Sequence, residues 1–202
     1  MLCLAKIKMR LIFLGMLLIG LLTTASYATL AEQIVAVVNG QLIFETDILR
    51  NQTFFSEEGS DVETRINHKL LLIEAKRFVL TPPEESEVDL MFAGIRQKFS
   101  NPSAFENALK ETGFMLDDFK REILNRLWVK KLIQDRITFF IFITDAEVRQ
   151  YYQNHQSDFG GKTVGDVEDT IRAILEKEKE GMKVKEYIAR IKSQAKITVN
   201  AR

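Results

Sequence analysis

An Asn-Gly pair set between two β-prone runs constrains this chain more than any other feature. In the stretch Ile34 to Asp47 an apolar, β-branched run stops at Asn39-Gly40, a shorter apolar run follows, and Glu45, Thr46 and Asp47 then open a helix. Asn-Gly is the strongest short-range hairpin signal, because both central residues of a type I′ turn need positive φ. The other strong strand signal is the last one, Lys196 to Asn200. Almost everything between reads as helix. The reading is therefore a mainly α multi-helix module with a small β-sheet, formed where the N-terminal hairpin receives the C-terminal strand and the chain folds back on its own start.

Residues 1–28 read as a separate segment. Lys6, Lys8 and Arg10 precede an uninterrupted apolar run, Leu11 to Leu22, and Ser26-Tyr27-Ala28 offers small residues where a signal peptidase reads. That run is shorter than the ~20 residues of a membrane span, which favours a signal peptide cleaved after Ala28 over a retained anchor. The only cysteine of the 202 residues, Cys3, lies before this run. A mature chain would hold none and must be stable without disulfides, as its length allows. Removing the three basic residues of the signal leaves 25 against 28 acidic, a net of −3. That balance argues against nucleic acid as a partner.

The helical middle is legible from spacing and punctuation. Val62, Ile66, Leu70, Ile73 and Phe78 recur at helical intervals behind a capping Asp61. His68 on that helix reads as an ordinary surface or rim histidine. Pro82 and Pro83 stop one helix and suit the first turn of the next, whose stripe is Val88, Met91, Phe92, Ile95 and Phe99. Asn101-Pro102 breaks that helix; a short one holding Phe105 and Leu109 ends at Gly113. Leu116 to Arg136 is the longest regular segment. Ile137 to Ile143 has high β propensity and no charge. It reads either as a buried strand or apolar helix tail, or as a sticky surface for other chains. Thr144-Asp145 caps a further helix, a glycine-rich loop spans Ser157 to Gly165, and the pattern is helical again from Asp166 to about Ala195.

Little in the chain points to catalysis. Two histidines and a single cysteine leave almost no material for nucleophilic triads or zinc sites, and no phosphate-cradling or Gly-x-Ser-x-Gly motif occurs. The reading is of no catalytic residues, no metal, no cofactor and no enzyme. What is abundant is apolar side chains, with 14 Phe and 6 Met. Such residues form helical cores, and they also adapt to varied partners. Met91, Phe92, Ile95, Phe99, Phe105, Met115, Phe139, Phe140 and Phe142 are the candidates for a groove that binds client chains.

With these pieces in place, the chain resembles the SurA-type periplasmic chaperones, whose helical module is fused to parvulin prolyl isomerase domains. The likeness rests on Val35-Ala36-Val37-Val38-Asn39-Gly40-Gln41-Leu42-Ile43 reaching Asp47 and Ile48, and on Leu71-Leu72-Ile73-Glu74-Ala75. It continues in the step Leu80 to Asp89, the phrase Phe105 to Ile123, and Ile143 to Tyr152. It covers most of residues 33–159. The sequence departs from the pattern after Asp158-Phe159, where a parvulin domain should begin and about eight loop residues lead to a helix instead. The resemblance implies a chaperone domain over 29–159, completed by a helix and strand over 160–202. It further implies an ATP-independent periplasmic holdase for unfolded or nascent outer-membrane and secreted proteins. A prolyl isomerase of the same family, or a non-catalytic dimeric envelope assembly factor, are the alternatives. A membrane contact is expected only through an uncleaved signal segment.

Overall fold

The computed structural model describes residues 32–55, 61–79 and 81–200; the expected signal segment lies outside them. Strands β1 (Ile34–Val38) and β2 (Gln41–Phe44) form the hairpin, and β3 (Ile197–Val199) closes the described chain. Between them the described residues form seven helices: α1 (Glu45–Phe54), α2 (Val62–Phe78), α3 (Glu85–Gln97), α4 (Pro102–Glu111), α5 (Leu116–Arg136), α6 (Asp145–Asn154) and α7 (Val164–Ser193). Short 3-10 turns occupy Thr138–Phe140 and Gln156–Phe159. This mainly helical fold with a small three-stranded sheet is the one the sequence implied.

The sheet order is β2-β1-β3, both pairings antiparallel, with Val37 opposite Leu42 on one side and Thr198 on the other. Asn39 and Gly40 take φ of +48° and +82°, as the turn requires. Asn39 has a second task. Its N–H donates to the Lys196 carbonyl at 2.9 Å, and its side-chain oxygen accepts from the Lys196 N–H at 2.8 Å. The residue that turns the hairpin thus also starts the C-terminal strand. The β1–β2 register slips between Ile34 and Ala36, a bulge that lets the consecutive Val35 and Ala36 both be buried.

Local chemistry explains most helix starts. Asp61 and Asn101 accept from the N–H of Thr64 and Ala104, and Thr144 and Glu147 bond each other's backbone. The helix α1 opens at Glu45 with Phe44 as the capping position, and the Asp47 carboxylate accepts the Phe44 N–H at 3.0 Å. Gly113, at φ +59°, ends α4 as expected.

Two apolar clusters share α5. The first packs the sheet and α2 against Val129 and Leu132 of α5 and Ile191 of α7. The second is aromatic: Phe54, Phe55, Phe105, Phe114 and Phe119 are buried together, with Phe92 and Phe99 against them. Ring centroids there lie 5.0–6.4 Å apart, mostly edge to face, which suits the ring quadrupoles. A third, smaller cluster joins α6 to the start of α7 through Val148, Val167 and Ile171. Only four residues, Gly160 to Thr163, separate the 3-10 turn ending at Phe159 from α7.

Two sequence expectations are corrected here. Ile137 to Ile143 is neither strand nor helix tail. Ile137 is buried, but the 3-10 turn leaves Phe139, Phe140 and Phe142 at 75%, 64% and 75% exposure. Phe78, placed in the α2 core stripe, is exposed instead, with the guanidinium carbons of Arg77 and Arg136 each 5.0 Å from its ring centre.

Candidate functional site

The helix α2 packs along α5 and also touches α7, and between these three lies a groove of about 730 Å³. Its apolar wall is Leu71 of α2, Leu127, Val129 and Ile133 of α5, and Val184 and Ile188 of α7, with Met91 of α3 at one side. Lys130 and Glu180 add charge, and Glu180 accepts the Thr138 hydroxyl at 2.7 Å. The volume suits a few side chains of an extended segment, within the usual range for ligand clefts.

Polar groups lie behind that wall. Glu122 of α5 accepts from Arg65 of α2 at 2.9 Å and from Arg126 at 3.3 Å. Arg126 is 4% exposed, donates to the Asn51 side chain of α1 at 2.5 Å, and lies 3.7 Å over the Phe55 ring. Burial pushes the Glu122 carboxyl up, but Arg65 and Arg126 outweigh it and hold it below the ordinary carboxylate value. His68 sits beside this cluster. Burial, reinforced by Arg126 and Arg65, lowers its pKa from 6.5 to about 3, so the ring is neutral. Its Nε2 and the side-chain oxygen of Asn67 are closed off from solvent and have no hydrogen-bond partner among the described residues. An unsatisfied buried polar atom costs about 1–3 kcal/mol. Both residues border the groove. His68, expected at the surface or a rim, lies half-buried at the groove's edge with its Nε2 closed off from solvent; no local signal could have placed it next to a triad assembled from α2 and α5.

The nine candidate contact residues do not share one groove. Met91 alone borders the α2–α5–α7 cleft. Phe92, Phe105 and Met115 border a second hollow of about 650 Å³, between α3, α4 and the start of α5. Phe140 and Phe142 border a third of similar size beside α7, with Arg136, Lys183 and Tyr187. Ile95 and Phe105 are buried, Phe99 is half-buried in the aromatic cluster, and Phe139 and Met115 project outward. The core takes the phenylalanines of α3 and α4; the cleft wall consists of aliphatic residues that were not among the nine candidates. Among the described residues no three metal-ligating side chains converge.

No protein-family model matches the chain. It is similar to curated proteins named foldase protein PrsA. The likeness is 29% identity over 140 residues with the Clostridium perfringens protein, covering 68% of this chain and 40% of that one. The Clostridium acetobutylicum protein is 31% identical over 97 residues, covering 46% of this chain and 29% of the relative. With a Clostridium botulinum protein the identity is 25% over 196 residues, covering 83% and 57%. The chain thus spans less than two thirds of each of these relatives. The likeness reaches proteins of the foldase class without singling out the SurA-type group. It also overturns the expectation of a non-enzyme, since the relatives bear the name foldase.

Proposed function

We propose that this chain is a foldase module that holds unfolded polypeptide outside the cytoplasm in the cleft between α2, α5 and α7. The observation that carries the reading is the apolar cleft of about 730 Å³ with unpartnered polar atoms beneath its wall. The likeness to foldase proteins supports the same work, and the apolar Leu11 to Leu22 run supports the location. Roughly 300 Å² of apolar client surface contributes about 7 kcal/mol at ~25 cal/mol per Å². Association costs are of the same order, about 4–15 kcal/mol. Binding is therefore weak and exchanging, which a foldase needs in order to release its client. Outer-membrane proteins as the clients rest on the SurA-type resemblance alone; crosslinking in the envelope and identification of the trapped chains tests that finer assignment.

Val184→Glu places a charge on the cleft wall from the half-buried face of α7. Suppression of light scattering by a refolding client should fall several-fold in this variant while its circular dichroism stays that of the parent. Unchanged suppression with an intact fold would sink the cleft as the binding site. The foldase name favours a second reading in which the held segment is also isomerised at proline. Proline-limited refolding, followed with the protein well below the client concentration, separates the two. Acceleration under those conditions requires turnover, whereas holding alone acts in proportion to the amount of protein.

A further inference from the structure

Asn67 and His68 are neighbours on α2, both border the cleft, and both keep a polar atom without a partner: an acceptor oxygen and a ring nitrogen. A neutral imidazole offers one donor and one acceptor. An extended residue offers the complementary pair on one side of the chain, its own N–H and its own C=O. From this pairing we infer that the cleft anchors its client by the main chain of one extended residue: its N–H donates to the Asn67 side-chain oxygen, and its own carbonyl accepts from His68 Nε2–H. This deepens the proposed function and rests on it. Both atoms are closed off from solvent in this structure, so anchoring accompanies a local parting of the side chains around them.

The anchor reads no side chain, so it accepts varied sequences wherever apolar residues fill the cleft. It does exclude one residue. Proline has no N–H and cannot satisfy Asn67. The anchored unit is therefore a non-proline amide, and any proline of the client must lie to one side of it.

The test uses a fluorescein-labelled peptide of alternating phenylalanine and threonine with glycine-serine flanks, and analogues carrying one N-methyl group at each successive amide. Binding is read by anisotropy with the full chain. One N-methyl position should weaken binding roughly tenfold, the worth of a single hydrogen bond of about 1.4 kcal/mol. That sensitivity should vanish in Asn67→Leu, and His68→Phe should weaken the unmodified peptide. Equal binding by all the analogues, or normal binding by both variants, overturns the anchor while leaving the cleft assignment intact. If Val184→Glu also binds the peptide as the parent does, the cleft assignment falls and the anchor with it. The peptide series alters no protein residue, so it decides the matter even where a variant fails to fold.

Discussion

Arg126 is a buried cation held by three different groups: the Asn51 amide, the Glu122 carboxylate and the face of Phe55. Arg126→Met keeps the volume but leaves Glu122 with Arg65 alone, so it should destabilise by about 3–5 kcal/mol, as when one partner of a buried ion pair is removed. Urea denaturation measures this, and adding Glu122→Gln should recover part of the loss. His68 gives the same region a pH dependence. Its folded pKa of about 3 lies below the ordinary 6.5, so the unfolded chain binds the extra proton between those values. Stability is then complete above pH 6.5 and falls as pH drops toward 3. Between pH 7 and pH 5 the expected loss from this group is about 2 kcal/mol. His68→Phe should flatten that part of the profile, and urea midpoints at the two pH values test it.

At the scale of elements, the sheet and the exposed turn make opposite predictions. β3 contributes to β1 the bonds of its register, and Asn200 donates to the Val35 carbonyl at 3.0 Å. Deleting residues 196–202 should therefore speed amide exchange of the Ala36 to Val38 strand, although the two segments lie at opposite ends of the sequence. Slow exchange in the truncated chain would show that the hairpin stands without its third strand. The Phe139–Phe142 turn behaves as surface. Phe139→Ser and Phe142→Ser remove exposed rings and should change stability by no more than about 0.5 kcal/mol. A cost several times larger, measured by thermal unfolding, would mean that those rings are covered in solution.

On the scale of the whole molecule, α5 sets the cooperativity. Its first half carries Phe119, Ile123 and Leu127 in the aromatic cluster, and its second half carries Val129 and Leu132 in the cluster under the sheet. Phe119 is fully buried and meets Phe54, Phe55, Phe92, Phe105 and Phe114. Phe119→Ala should cost about 3–5 kcal/mol. Because one helix spans both clusters, the unfolding transition should move as a unit when followed by far-ultraviolet dichroism and by Trp128 fluorescence. The small α6–α7 cluster stands apart from that helix. Its amides should exchange first, through local opening.

The sequence by itself determined the elements that depend on near neighbours. The Asn39-Gly40 turn needs only its own φ preferences, the caps at Asp61, Asn101 and Thr144 bond atoms three residues away, and the helical stripes follow from period alone. Even the pairing of the two chain ends was legible, since the middle offered the strands no other partner. Only the tertiary structure decided which apolar residues face the core and which face the cleft. Phe105 and Met115 carry the same signal in sequence, yet one is 3% exposed and the other 70%. Burial depends on what packs opposite, and for α5 the opposite faces come from α2 and α3. His68 shows the same limit in electrostatic form. Its neutrality comes from burial, reinforced by Arg126 of a helix far away in sequence and by Arg65, and only partly opposed by the Glu122 carboxylate. Charge and desolvation act through space, and spacing along the chain does not encode them.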